Sequence, residues 1–215
     1  METVNKMLAG IVKFMGNWAA CIRVVLRQIL IVCAVIAGLN LMIVKSSLQA
    51  ENKTFREYQV KAVFIYNFVN FVKWPEDTGY DHESPFIIGI AGDDAVQGFL
   101  EKVVADETVK GRKIVVRHID AFTLPLDCRI LFISKTIRKD VLQILKDAAG
   151  RKMLTVGDFK GFIQAGGIIN FFHAQGRIHI EINKTGADLA GLAISSKLLK
   201  LVQIVEPDSI REGME

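Results

Sequence analysis

From position 54 onward the apolar residues of this chain recur in two rhythms, one near 3.6 and one near 2, after an uncharged run at 29–44 that has no polar face at all. Thr54-Phe55-Arg56-Glu57 has the form of a capping box. The helix it starts is expected to run to Lys73 and to stop before Trp74-Pro75, because proline disfavours helical geometry in the residue ahead of it. At about 100° per residue, Arg56, Gln59, Asn67, Asn70 and Lys73 share one stripe. Val60, Val63, Phe64, Ile65, Phe68, Val69, Phe71 and Val72 cover most of the rest. Packing on one face of a sheet needs a stripe of only about 100°, so the additional apolar arc calls for a second element, a subunit or a partner.

Asp77 to Pro85 is a polar loop, and Phe86 to Ala91 (FIIGIA) reads as a buried strand followed by Gly92-Asp93-Asp94, a turn into a short helix near Ala95 to Val104. Lys113 to Ile119 predicts a strand, and Arg129 to Ser134 a central one. Ile137 to Ala148 has helical spacing, and Met153 to Val156 is a further short strand. Past Gly166-Gly167, the segments Ile168 to His173 and Arg177 to Asn183 flank a tight turn at Ala174-Gln175-Gly176. Ile178, Ile180 and Ile182 alternate there with His179, Glu181 and Asn183, the mark of a strand with one wet face. Ser195 to Val205 is expected to form a closing helix. The order implies an α/β domain of three layers, with a mostly parallel sheet and an antiparallel hairpin at its edge.

The run Ile29 to Val44 follows Arg23 and Arg27 and precedes Leu48-Gln49-Ala50, where a signal peptidase would leave Ala50 as the last residue removed. Residues 1–50 therefore read as a signal peptide, or as an N-terminal membrane anchor with its arginines on the cytoplasmic side. The 16 uncharged residues fall short of the ~18–20 a spanning helix needs. Either way the domain at 51–205, with a polar tail at 206–215, is expected outside the cytoplasm. From Glu51 onward 22 basic residues face 22 acidic ones, a balance without the basic footprint that nucleic acid demands. Cys21 and Cys33 fall in the leader, and Val32 is too bulky to precede a lipidated cysteine. Cys128 alone remains, so the domain has no internal disulfide, and it reads as a small buried hydrophobe. A Cys128 to Cys128 link between chains stays open.

Catalytic chemistry has few candidates. His82 and His118 stand alone, His173 and His179 straddle the hairpin turn with Glu181 nearby, and no H-E-x-x-H or G-x-S-x-G occurs. Two histidines and a glutamate fall one ligand short of a closed structural zinc site, and no metal is expected. Asp93 and Asp94 follow a strand and read more simply as helix caps than as an acid and base pair. Neither enzymatic activity nor a cofactor is expected.

The chain resembles the YfiR family over Tyr58 to Leu201. The resemblance rests on Tyr58, Lys61-Ala62, Asn67-Phe68, Phe71-Val72 and Trp74-Pro75, then on Cys128 to Ser134, Leu154 to Asp158, Phe162, Gly166 to Phe171, Arg177-Ile178, Glu181 to Asn183, and Leu192 with Ile194 to Lys200. It implies an exported periplasmic protein that inhibits an inner-membrane signalling enzyme, such as a diguanylate cyclase or a sensor kinase, by binding its periplasmic region. Cyclic di-GMP and biofilm formation would fall in consequence. Related proteins can carry more cysteines and respond to redox state, and this chain departs from them with Cys128 alone. A homodimer is compatible with the pattern. The expected partner surface is the exposed part of the first helix, Tyr66, Phe68, Val69 and Val72, whereas Trp74, Pro75, Cys128, Gly166, Gly167, Asn170 and Asn183 are expected to serve the fold. The alternative is a small-molecule sensor with its crevice near Gly92, Asp93 and Ser134, at the carboxyl ends of parallel strands.

Overall fold

A computed structural model describes residues 54–75, 84–92, 95–120, 123–125 and 127–206. The expected leader, the cleavage point after Ala50 and most of the polar tail lie outside the described residues. The sheet and its covering helices all belong to the unit Phe55–Glu215.

Among the described residues helix α1 covers 54–71, and it runs directly into β1 (Val72–Lys73). Then come β2 (Phe86–Ala91), α2 (Val96–Val104), β3 (Thr108–Val109), β4 (Arg112–Ile119) and β5 (Cys128–Ile133). A 3-10 turn at Lys135–Asp140 leads into α3 (Val141–Ala148), followed by β6 (Leu154–Gly157), β7 (Ile169–Ala174) and β8 (Arg177–Ile182). Helix α4 (Lys184–Leu189), β9 (Ala193–Ile194), α5 (Ser196–Leu199) and β10 (Gln203–Ile204) close the described chain.

Eight strands form one sheet in the order β10-β8-β7-β6-β5-β2-β4-β3. Its middle is parallel, while β7 with β8 and β3 with β4 are antiparallel. β2 and β5 are continuous apolar runs because both of their faces are covered. Ile88, Ile90, Ile130, Phe132, Val156 and Phe171 join Ile65 and Phe68 of α1 on one face. Ile87, Ala91, Leu131 and Ile133 join Ile144 and Leu145 of α3 on the other. Helices thus cover both faces of the sheet. Two glycines admit a ring to this second core: a Cβ on Gly157 would lie 2.5 Å, and one on Gly167 2.2 Å, from the ring of Phe162.

The hairpin between β7 and β8 turns on Gln175 and Gly176, with φ of 51° and 73°. Two left-handed residues give the turn the twist of the strands it joins. The expected elements differ from the structure at several places, and the helix expected from Ile137 is α-helical only from Val141, after the 3-10 turn. Helix α1 ends at residue 71, not Lys73, because Val72 and Lys73 pair with Ile194 and Ala193 in a second, two-stranded sheet. The expected closing helix is broken into the four-residue α5 and β10, since Gln203 and Ile204 pair in parallel with Glu181 and Ile182. That strand covers only the end of β8, so the hairpin is not quite the margin of the sheet. The capped helix α4 and strand β3 lie in segments for which no element is expected from the sequence.

The apolar excess of α1 is covered within the chain only in part, since Val60 and Val63 stay 40% and 46% exposed. Phe55 meets Phe99 of α2 edge-on at 4.9 Å, and Phe68 stacks on Phe171 of β7 at 6.1 Å. Three residues of the expected partner surface are therefore core: Phe68, Val69 and Val72 are 0%, 5% and 3% exposed. The fourth, Tyr66, is half-buried and donates its hydroxyl to Glu107 at 2.7 Å.

Candidate functional site

The first described turns of α1 lie against the carboxyl-terminal side of the sheet, where a charged cluster forms. The Lys61 ammonium donates to the carboxylate of Glu57, one helical turn away at 2.6 Å, and to that of Asp158, which follows β6, at 2.8 Å. The side chains of Lys61 and Asp158 are only 3% and 1% exposed. The second oxygen of Asp158 accepts the backbone N–H of Lys135 at 3.0 Å, and His173 Nε2 lies 3.0 Å from Glu57. Burial opposes the charge on Lys61, but the adjacent Asp158 and Glu57 outweigh it and hold the ammonium above its usual range. Burial likewise opposes the charge on Glu57, and its bonds from Lys61 and His173 bring the carboxyl below its usual range. Each charge is answered by a partner, so the cluster fixes the height of α1 on the sheet and offers no free base or acid.

The residues expected to serve the fold sit in hydrogen-bonded or packed positions. Asn170 accepts the Phe159 N–H at 3.2 Å and donates to Glu181 at 2.8 Å. Asn183 caps α4 by accepting the Gly186 N–H at 2.7 Å, and donates to the Gly167 carbonyl at 3.3 Å. Gly166 has φ +99°. Trp74 packs edge-on against Phe86 at 5.2 Å, its buried Nε1 without a hydrogen-bond partner among the described residues, and Pro75 beside it is half-buried. Cys128 is 1% exposed, and burial pushes its thiol up to about 12. A link between two copies through Cys128 is closed in this conformation.

The histidine pair is separated by the pleat. His173 stands opposite Ile178, whereas His179 stands opposite Phe172, whose ring it stacks on at 5.5 Å. Neighbouring positions on one strand point to opposite faces, so the two imidazoles do not converge. Among the described residues no three of His, Cys, Asp and Glu gather as metal ligands do. The crevice expected near Gly92 is tight, since a Cβ there would lie 2.7 Å from Thr136 Oγ1 and 3.1 Å from Ser134 Cβ. Asp93 lies outside the described residues.

An apolar groove of about 240 Å³ opens farther along α1, toward its carboxyl end. Phe64, Phe71, Ile178, Ile180, Leu201 and Val202 line it, buried Phe68 forms part of its floor, and Asn67, His179 and Gln203 stand at its polar points. Leu201 is 81% exposed. Beside the groove, β10 pairs with β8 only at Glu181 and Ile182. Residues 177–180 of β8 thus present an edge unpaired by any described strand. An open strand edge beside apolar pockets is the geometry that receives an extended peptide, and Arg177 and His179 on that edge discourage indiscriminate pairing. Of the four residues expected to meet a partner, only Phe68 borders this groove. Phe64 and Phe71 belong to the same apolar arc of α1, while Leu201 is brought there only by the break in the expected closing helix.

Residues 58–203 match a protein family described as YfiR/HmsC-like. No curated protein matches the chain. Among solved structures, a conserved domain protein from Vibrio cholerae O1 biovar eltor str. N16961 superposes with a TM-score of 0.50 at 12% identity, covering 68% of this chain and 59% of its own. An ABC domain in complex with L-Trp from Streptococcus pneumonia superposes with a TM-score of 0.43 at 12% identity, covering 56% of this chain and 55% of its own. The chain therefore spans somewhat more than half the length of each. At such identity the likeness to the Vibrio protein concerns the fold alone. Among the described residues no helix is long and apolar enough to cross a membrane.

Proposed function

The chain belongs to the YfiR/HmsC-like family, and from that premise we propose that it is an inhibitory regulator that binds the periplasmic region of an inner-membrane signalling enzyme. Membership implies, for the family as a whole, regulation of cyclic di-GMP signalling from the periplasm. The enzyme restrained here is a diguanylate cyclase, with a sensor kinase as the second class of partner. The observation that supports this reading is the groove between α1 and the open edge of β8. An extended segment of the partner pairs with residues 177–180 and places alternate side chains against Phe64, Phe71 and Leu201. At about 240 Å³ the groove is smaller than the ~300–1,000 Å³ of ordinary small-molecule sites, which favours a peptide over a metabolite and sets the sensor reading second. Export by residues 1–50, with the regulatory domain at 51–205, completes the proposal.

Deleting the protein is expected to raise cellular cyclic di-GMP. The purified protein should also retain the periplasmic segment of the cyclase it restrains. A deletion strain with unaltered cyclic di-GMP and unaltered sensor-kinase output would contradict the proposal.

A further inference from the structure

The outward face of the segment that carries α3 has no role in the groove, and its composition is unusual. Lys139, Leu142 and Lys146 recur at spacings of three and four, and Lys135 lies in the preceding 3-10 turn, beyond the non-helical backbone of Ile137; all four are exposed, and Leu142 is 68% exposed. Arg138 flanks the same stripe, its guanidinium 5.8 Å above the Phe159 ring. Among the described residues Lys135, Lys139 and Lys146 have no ion-pair partner. Asp147 lies to one side and accepts from Gln143 at 3.0 Å, and Asp140 is half-buried at the start of the helix. The result is a row of unpaired ammonium groups around one projecting leucine.

We propose that this face docks on an anionic lipid bilayer. Protein interfaces are depleted in lysine and enriched in aromatic residues, the reverse of what stands here. Lysines around a lone aliphatic side chain suit a headgroup layer, where the leucine enters the acyl boundary and the ammonium groups meet phosphate. The uncharged run at 29–44 brings the chain to the inner membrane during export, if not afterwards. The groove under α1 lies on the opposite face of the sheet from α3. A domain resting on α3 thus keeps its strand edge free for a membrane-bound partner. This inference rests on the periplasmic placement, but it concerns a different surface from the groove.

The test uses the full chain with Cys21→Ser and Cys33→Ser, so that Leu142→Cys can be labelled selectively with a polarity-sensitive dye while buried Cys128 stays unreactive. Vesicles of phosphatidylglycerol and phosphatidylcholine in equal parts should shift the dye to an apolar emission, which high salt reverses, and pure phosphatidylcholine should not. Replacing both Lys139 and Lys146 by Gln should lower the ratio of lipid-contacting to free dye about thirty-fold, at about five-fold per lysine, with the circular dichroism unchanged. Three results would overturn the proposal: a dye that stays in water while the chain sediments with the vesicles, an equal response to pure phosphatidylcholine, or a response to polyglutamate and not to vesicles. Because no partner protein is present, failure here leaves the cyclic di-GMP experiment intact, and the converse holds.

Discussion

Replacing Lys61 by Met removes the cation from a buried cluster and leaves Asp158, 1% exposed, and Glu57 without it. Breaking a buried ion pair by deleting one partner costs about 3–5 kcal/mol, mostly the desolvation of the charge left behind. With a urea m-value of about 2 kcal/mol per molar for a domain of this size, the unfolding midpoint should fall by about 1.5–2.5 M. The double variant Lys61→Met with Asp158→Asn should recover much of this, since the amide put in place of the carboxylate carries no charge and its oxygen could still accept from the Lys135 N–H. The pH dependence has a definite sign. Glu57 titrates below its unfolded value, so its contribution is present above that value and is lost as the pH falls through its folded pKa. Lys61 titrates above its unfolded value, so its contribution is present below that value and is lost as the pH rises through its folded pKa. The gap between wild type and Lys61→Met should therefore be widest near neutrality and narrow in acid. Urea titrations followed by circular dichroism measure it. A midpoint within about 0.3 M of wild type at neutral pH, or a double variant no more stable than the single one, would refute the reasoning.

Two further outcomes follow from the core. In the chain carrying Cys21→Ser and Cys33→Ser, the Cys128 thiol, pushed up to about 12 by burial, should resist an aromatic disulfide reagent at pH near 8 until urea unfolds the domain, and prompt native labelling would contradict its placement. Gly167→Ala puts a methyl 2.2 Å from the Phe162 ring and should cost about 1–3 kcal/mol, partly relieved by adding Phe162→Leu; a neutral Gly167→Ala in the same urea assay would show that the ring has room to move.

The central strands were legible because each is a short apolar run covered on both faces, and the hairpin because Ile178, Ile180 and Ile182 alternate with polar residues. What the pattern hid was non-local. Val72 and Lys73 continue the helical rhythm of α1, yet they pair with a strand more than a hundred positions away. Leu201 and Val202 continue the rhythm of α5, but pairing of Gln203 and Ile204 with β8 straightens the chain. Helix α4 is too short for its periodicity to stand out, and only Asn183 as a capping residue signals it. The same limit moved the candidate surface. The apolar arc of α1 was visible, but its partial cover, which includes Phe99 and Phe171, comes from elements distant in sequence. Lys61 and Asp158 each lie in a segment that resembles the YfiR family, though nothing local says that they meet across 97 positions.

The measurement that bears most directly on the regulatory account is cyclic di-GMP in a strain lacking the protein, complemented with wild type, Leu201→Asp or Phe68→Asp. Leu201 is 81% exposed on the groove and Phe68 is fully buried, so the first substitution alters the surface and the second the fold. Wild type is expected to restore low cyclic di-GMP, while Leu201→Asp is expected to accumulate as a folded protein and fail to do so. A Leu201→Asp protein that restores low cyclic di-GMP as fully as wild type would contradict it.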